Sequence, residues 1–319
     1  MRKYIGFGIL LFFVMVLFIS TLINLWQISI TIFILFLLVV FFALYRMHHH
    51  FIKTVQTQKA SYRIPSEKAA LDFLTTFFGA MITYFISIYL GLGGVIASGL
   101  IGMLAALFIK PYAVPIFCGS FLGMTSGELM EPWMFHMAAV AAGMIFVATK
   151  DVCNGFGGKL GTIALSSALL ISFVLGQSYL AAPIFNDLEM VLIIVFSILG
   201  ALVTYIVNIR FEQGPVLASG LVGLFAGAIL PVLFGAIGIT LAIATFGASF
   251  VGMSATDKMK EESMIIFAGL LFGLIYIFSA PYFGGAGGKL GTIAFASVLS
   301  VSGLRMFLRD HVYKTSKQS

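Results

Sequence analysis

The chain has 319 residues, of which 61% are hydrophobic and 9% are charged, and its formal net charge is +6. Soluble globular proteins contain about 45–50% apolar and about 25% charged residues, so the composition excludes a soluble enzyme or a nucleic-acid-binding domain. The two cysteines are too few for a disulfide scaffold. In a membrane protein, the excess of Lys and Arg reports orientation rather than a polyanionic partner.

Apolar runs of membrane-spanning length occur along the whole chain. A hydrocarbon core of about 30 Å requires about 20 apolar residues in a helix. The sequence therefore predicts an all-α polytopic membrane protein with twelve transmembrane helices. The predicted spans are residues 4–25, 28–45, 69–90, 93–109, 112–126, 132–149, 160–177, 190–209, 214–230, 237–255, 264–280 and 290–306. The fifth span is short, and a re-entrant half-helix is an alternative there.

The first two spans predict a membrane hairpin. The first apolar run is too long for a cleaved signal peptide, and no small-residue cleavage site follows it. Residues 1–68 are predicted to form this two-helix hairpin with a cytoplasmic loop over residues 46–68. Because the hairpin lies outside the repeated part of the chain, we expect the repeats to close without it.

The distribution of positive charge predicts the orientation. With a cytoplasmic N-terminus and twelve crossings, 17 of the 18 Lys and Arg residues lie in the cytoplasm, and Lys289 lies outside. If the fifth span did not cross, Lys150, Lys159 and Arg210 would lie outside, against the positive-inside rule. The sequence therefore predicts a multi-pass protein of the cell membrane with both termini in the cytoplasm.

Residues 69–177 and 190–306 repeat each other. Three segments carry the repeat: residues 79–102 match 200–223 at 12 of 24 positions, SFLGMT at 120–125 matches SFVGMS at 249–254, and GGKLGTIA at 157–164 recurs unchanged at 287–294. Five predicted spans per repeat is an odd number, so the two repeats begin on opposite sides of the membrane. The sequence therefore predicts an inverted five-plus-five repeat, a common plan of secondary transporters, followed by a cytoplasmic tail at residues 307–319.

The repeated GGKLGT segment is the stronger candidate site. Each copy precedes the last helix of its repeat, and the candidate residues are Gly157, Gly158, Lys159 and Thr162, with Gly287, Gly288, Lys289 and Thr292. A glycine-rich turn, free N–H groups, an ammonium and a hydroxyl suit a carboxylate, a phosphate or another anion. The alternative is that each lysine extends to the membrane interface or pairs with an acid.

The SFLGMT and SFVGMS segments are the second candidate. Both are predicted late in the third helix of a repeat and contribute the hydroxyls of Ser120, Thr125, Ser249 and Ser254. Glycines there would allow a helix to unwind, and the hydroxyls would then line a polar path. The alternative is helix packing through small residues.

Chemistry-bearing side chains are otherwise scarce in the predicted spans. None of the twelve Asp and Glu residues is predicted near the middle of a span, and no catalytic or metal-binding motif occurs. We therefore expect no enzymatic activity, cofactor or metal, but a transporter or permease for a small anionic or neutral solute. Its expected partners are that solute and membrane lipids, without nucleic acid, and an oligomer is compatible with the sequence. The alternatives are a flippase for a lipid-linked substrate and a non-transporting membrane scaffold or assembly factor.

Overall fold

The computed structural model describes residues 2–56, 66–181 and 183–311, and this part of the chain is helical without strands. Twelve α-helices form in the described residues: α1 Arg2–Ile28, α2 Ile30–Gln56, α3 Ser66–Tyr84, α4 Gly94–Phe108, α5 Ala113–Leu122, α6 Pro132–Thr149, α7 Lys159–Val174, α8 Asp187–Tyr205, α9 Pro215–Phe234, α10 Ala236–Gly252, α11 Glu262–Phe278 and α12 Lys289–His311. Residues 57–65 of the predicted polar loop and residues 312–319 of the predicted tail lie outside the described residues.

Seven of the described helices are long and apolar enough to cross a membrane, namely α1, α2, α3, α6, α8, α9 and α12. Their outer faces expose large apolar side chains such as Phe12, Leu38 and Phe225. Such extensive apolar surface is unfavourable in water and suited to lipid. These features indicate a helical membrane protein. The helices α4, α7, α10 and α11 are apolar but shorter, and the 10 residues of α5 span about 15 Å.

Several helix boundaries differ from the sequence prediction, among them the ends of α2, α5 and α12. The predicted loop 46–68 is helical as far as Gln56, and α12 continues to His311. Neither extension contains Gly or Pro, so no residue that breaks a helix ends it where the apolar run ends. The fifth helix is shorter than predicted because the chain leaves it at Gly123, and the N–H of Ser126 then donates to the carbonyl of Gly285 at 2.9 Å.

The α1–α2 hairpin is packed into the rest of the molecule. Leu17 in α1 is fully buried, and the side-chain amide of Asn24 donates to the carbonyl of Phe278 at 2.8 Å. Along α2, the hydroxyl of Ser300 in α12 donates to the carbonyl of Val39 at 2.9 Å. The hairpin therefore packs against the repeats, and the expectation that the repeats close without it stays a prediction.

The two repeats make the same internal contacts. A five-residue π-helical segment follows the first helix of each repeat, at Phe85–Tyr89 and at Ile206–Arg210. Just before this segment, the hydroxyl of a buried tyrosine donates a hydrogen bond to the chain segment that follows the third helix of the same repeat. The two bonds run from Tyr84 to the carbonyl of Met130 at 2.7 Å and from Tyr205 to the carbonyl of Met259 at 3.1 Å.

The last helices of the two repeats, α7 and α12, pack against each other in antiparallel order. Gly158, at the start of α7, lies against the backbone of Phe295, and Gly288, at the start of α12, lies against the backbone of Leu165. The overlap covers residues 158–165 and 288–295. At 1.5 Å per residue, the two helix N-termini lie about 10 Å apart along the shared direction.

The second helices of the repeats, α4 and α9, also pack against each other in antiparallel order. Gly99 lies against the backbone of Leu224, and Gly227 lies against Ile96, so residue numbers rise along one helix while they fall along the other. A two-fold rotation about an axis perpendicular to the helices places equivalent helices in this antiparallel relation. Glycine at these positions permits close approach of the backbones, which is the usual device at helix interfaces in membranes.

Candidate functional site

Two cavities of similar size lie between helices of the two repeats, and each contains one of the repeated lysines. The Lys159 cavity has a volume of 380 Å³ and the Lys289 cavity a volume of 360 Å³. Many residues that line them occupy equivalent positions in the two repeats. These pairs include Val114 and Ile243, Phe146 and Tyr276, Gly157 and Gly287, Leu160 and Leu290, Val216 and Val95, and Met253 and Met124.

A cluster of four buried phenylalanines lies between the cavities. The cluster consists of Phe117 and Phe121 from α5 with Phe246 and Phe250 from α10. Phe121 lines both cavities, and its ring centroid lies 4.3 Å from that of Phe250. The two cross pairs, Phe117 with Phe250 and Phe121 with Phe246, have the same separation of 6.3 Å. The four rings therefore form one apolar aromatic layer where α5 meets α10.

Each cavity lysine donates hydrogen bonds to the chain segment that follows the preceding helix. The ammonium of Lys159 donates to the carbonyl of Lys150 at 3.1 Å and to the side-chain oxygen of Asn154 at 2.8 Å. The ammonium of Lys289 donates to the carbonyls of Ser279 at 2.8 Å, Ala280 at 3.4 Å and Tyr282 at 2.6 Å. A cation at a helix C-terminus is favourable, because the last carbonyls carry partial negative charge. Each lysine thus begins one helix and stabilises the end of another.

The two repeated motifs join across the repeats. The N–H of Gly157 donates to the hydroxyl of Ser254, and the N–H of Gly287 donates to the hydroxyl of Thr125, both at 3.1 Å. A side chain at Gly157 would overlap the main-chain carbonyl of Phe250. The glycine segment of the first repeat therefore bonds the SFVGMS segment of the second, and the glycine segment of the second repeat bonds the SFLGMT segment of the first. The two candidate sites of the sequence thus contact each other, once in each half of the molecule.

The other glycines of the motif set the crossing of α7 and α12. Gly158 and Gly288 have φ angles of 83° and 89°, which favour glycine. Gly161 and Gly291 face each other at the crossing, where a side chain on either would overlap the backbone of the other. The exact repetition of this motif therefore has a packing reason in addition to any role in binding.

The candidate hydroxyls lie in helix contacts. The hydroxyl of Ser120 is 2.8 Å from that of Ser98, and the hydroxyl of Ser249 is 2.7 Å from that of Ser219. In the described part of the chain, no candidate hydroxyl residue lines either cavity; these residues are Ser120, Thr125, Thr162, Ser249, Ser254 and Thr292. By contrast, Gly157, Gly158 and Lys159 line one cavity, and Gly287, Gly288 and Lys289 line the other.

The sequence prediction missed a buried ion pair beside the Lys159 cavity. The ammonium of Lys150, a residue that lines this cavity, pairs with the carboxylate of Asp72 in α3, and the two side chains are 15% and 8% exposed. The signal that could have found it is Asp72 itself, since a buried carboxylate requires a partner. The second repeat has Ile193 and Ala280 at the equivalent positions, so the pair belongs to one cavity.

Three basic side chains surround the ring of Phe156, which also lines the Lys159 cavity. The guanidinium carbon of Arg46 lies 5.0 Å from the ring centroid and the ammonium of Lys258 lies 5.4 Å from it. The imidazole ring of His50 lies 5.3 Å away, centroid to centroid. We call Arg46, His50 and Lys258 the basic cluster. Its members come from α2 and from the segment between α10 and α11, and sequence spacing gives no sign that they meet.

The charges around both cavities suit an anion or a dipolar solute. Among the described residues, neither cavity is lined by Asp or Glu, and no group of three or more His, Cys, Asp and Glu side chains lies close enough to hold a metal. Each cavity contains a lysine and a helix N-terminus whose first N–H groups have no partner inside the helix. Comparisons of the chain with protein-family models, with curated proteins and with solved structures found no match.

Proposed function

We propose that this protein is an integral membrane transporter that moves a small anionic or neutral solute between the Lys159 cavity and the Lys289 cavity. The observation that carries the proposal is the pair of repeat-related cavities on either side of one aromatic layer. Alternating access requires two similar half-paths and a barrier between them, and two repeats of one shape can exchange conformations to open each half-path in turn.

The proposal includes twelve membrane crossings, an inverted repeat and cytoplasmic termini in the cell membrane. The antiparallel order of α7 with α12 and of α4 with α9 supports an axis in the membrane plane. With such an axis, the crossing of α7 and α12 lies at the membrane midplane, and both helix N-termini lie within a hydrocarbon core of about 30 Å. Helix N-termini near the midplane are the positions where transporters hold anionic groups.

The charge balance supports an anionic solute. An ammonium has three donors, and Lys159 uses two of them with Lys150 and Asn154. A cation in a low-dielectric cavity without a lining carboxylate attracts an anion, which also receives the free N–H groups of the first helical turn. The Lys289 cavity presents the same helix end, although its ammonium is bonded to three carbonyls.

The alternative functions are less well supported. A flippase would need a groove that is open to lipid and also accepts a polar headgroup. The lipid-facing groove between α8 and α9 has a volume of 470 Å³, and Phe196, Val203, Leu221 and Phe225 are among its almost entirely apolar lining. A non-transporting scaffold needs no internal cavity, and this protein has two that each contain a lysine.

Cysteine accessibility tests the two-sided path without knowledge of the solute. Thr256→Cys lies in the Lys159 cavity and Thr240→Cys in the Lys289 cavity. Background labelling should be low because Cys118 and Cys153 are buried, and burial raises the pKa of the Cys153 thiol to about 12. A membrane-impermeant maleimide should label Thr240→Cys from outside in intact cells, and Thr256→Cys after the cytoplasmic side is opened.

Two exposed positions calibrate this measurement. Asp187→Cys should label from outside and His311→Cys from the cytoplasm. Labelling of Thr240→Cys and Thr256→Cys from the same side would overturn the proposal. The transport step itself is tested by uptake of radiolabelled phosphate, acetate and chloride into proteoliposomes, and at least one should enter faster than into protein-free vesicles.

A further inference from the structure

The basic cluster contains an arginine without a close ion-pair partner among the described residues, and the opposite charge that acts on it most strongly is that of Asp257. Nη1 of Arg46 lies 3.7 Å from the sulfur of Met306, and its Nε is buried without a hydrogen-bond partner. Among the described residues, no carboxylate forms an ion pair with Arg46. The ring of Phe156 stabilises a nearby cation through its quadrupole, but it does not neutralise the charge.

The second cation of the cluster is differently placed. Lys258 pairs with Asp257, whose side chain is 66% exposed, while the lysine side chain is 15% exposed. The acid of the cluster therefore lies towards water, and the two cations lie towards Phe156. Phe156, Ala255 and Thr256 line the Lys159 cavity, so the cluster lies beside that cavity, on the other side of residues that line it.

The chemistry of the unpaired group defines a ligand class. A guanidinium presents parallel N–H donors in a plane, and the Nε–Nη2 edge of Arg46 makes no hydrogen bond among the described residues. Nε and Nη2 together match an oxyanion that accepts two bonds at once, and because Nε is buried, the guanidinium has to turn towards the ligand to present both donors. An ammonium beside the same ring adds a third donor group, and a phosphate group has enough oxygens and charge to engage both cations.

We propose that Arg46 and Lys258 form a binding site for a phosphate group beside the Lys159 cavity. The inference rests on the proposed function, since it gives the solute of that cavity a chemical class. It also assigns a role to the α1–α2 hairpin, because Arg46 belongs to α2. The equivalent region of the Lys289 cavity has Ala286 in place of Phe156, so the site belongs to one side of the molecule.

Binding of inorganic phosphate to the full chain in detergent tests the proposal. The unfolding temperature is measured at increasing phosphate concentration. Chloride is reduced as phosphate is added, so that the ionic strength stays constant. Phosphate should raise the unfolding temperature of the wild-type protein. Arg46→Gln should weaken the apparent affinity about 10- to 100-fold, as expected for the loss of charge-assisted hydrogen bonds.

Arg305→Gln is the matched control. Nη1 of Arg305 also lies against a methionine sulfur, that of Met264 at 2.8 Å, but its Nη2 pairs with Glu261 at 2.7 Å. Its loss should leave the phosphate affinity unchanged. If Arg46→Gln does not fold, Arg46→Lys keeps the charge, loses the planar fork and should retain only part of the affinity.

A second arm identifies the source of the phosphate group. The protein is reconstituted in phosphatidylcholine vesicles with or without phosphatidic acid, and its unfolding is measured in each. Stabilisation by free phosphate that depends on Arg46 indicates a soluble ligand, and stabilisation by phosphatidic acid alone that depends on Arg46 indicates a lipid headgroup. No stabilisation by either, or equal stabilisation of wild type and Arg46→Gln, would overturn the site. The measurement needs no transport, so its failure is separate from a failure of the cysteine test.

Discussion

The Lys159 cavity and the Lys289 cavity share a backbone plan and differ in their side chains. Each cavity is lined by its own copy of the glycine segment, and both cavities border the same aromatic layer. The Lys159 cavity adds Lys150 with its partner Asp72, and the amide-bearing Asn154 and Asn208. The Lys289 cavity has Tyr276 and Phe283 and is bordered by the segment around Leu180, which pairs with Gly284.

The comparison distinguishes residues that stabilise the fold from residues that give each cavity its own chemistry. The glycines of the repeated GGKLGT segment are the same in both repeats, because a side chain on any of them would overlap main-chain atoms of the other repeat. Several other positions that line the cavities differ between the repeats, such as Phe156 and Ala286 or Lys150 and Ala280. The Lys159 side is therefore the charged half of the proposed path and the Lys289 side the aromatic half.

The largest expected effect is at the shared crossing. Gly161→Ala places a methyl group on the backbone of Gly291, and Gly291→Ala places one on Gly161. Backbones cannot yield as a side chain does, so each change should destabilise the protein by more than about 3 kcal/mol and reduce the folded yield. Yield and monodispersity in detergent measure this. Gly8→Ala, where no neighbouring atom lies within 4 Å, is the control, and a normal yield of either crossing variant would contradict the packing role.

The second prediction concerns the ion pair that one cavity has. Asp72→Asn leaves the Lys150 cation largely buried without its partner, so the free energy of unfolding should fall by about 2–4 kcal/mol, less than for a fully enclosed pair. Lys150→Gln in the same chain should restore part of the loss. Chemical denaturation of Asp72→Asn, Lys150→Gln and the double variant gives the coupling free energy between the two side chains. Additive effects would show that the pair does not act as a unit.

The third prediction compares the two lysines. Lys289→Gln removes donors from three carbonyls, and Lys159→Gln removes donors from one carbonyl and one amide oxygen. Each change should cost about 1.5–3 kcal/mol, with the larger loss for Lys289. Unfolding temperatures in detergent rank the two. A larger loss for Lys159→Gln would contradict the ranking by carbonyl bonds.

The smallest effect is expected at a turn where the repeats differ. Glu212 has a φ angle of 55°, while the equivalent residue of the first repeat is Gly91 with a φ angle of 69°. Glu212→Gly removes a strained left-handed residue and should stabilise the protein by about 0.5–1 kcal/mol. The reverse change, Gly91→Glu, should destabilise it by a similar amount. Thermal unfolding of both variants checks the signs, and the same sign for both would show that backbone strain is not the cause.

The sequence predicted the helices well where apolar length decided the outcome. Pro132–Thr149 matches its predicted span, since every backbone polar group in lipid must bond within the helix. It was less accurate at α5, whose end depends on the contact of Ser126 with Gly285, a residue more than 150 positions away. Contacts of that range leave no periodic pattern in the local sequence.

For the candidate sites, the sequence identified the lysines and glycines that line the cavities, because exact repetition in two halves marks positions with a shared constraint. It could not decide which way a hydroxyl or an ammonium points. Thr125 is equally able to face a solute or the N–H of Gly287, and Lys289 is equally able to reach outward or to bond the carbonyl of Tyr282. Tertiary structure decided both, because a buried polar group bonds the nearest available partner, and here that partner belongs to the other repeat or to the end of the preceding helix.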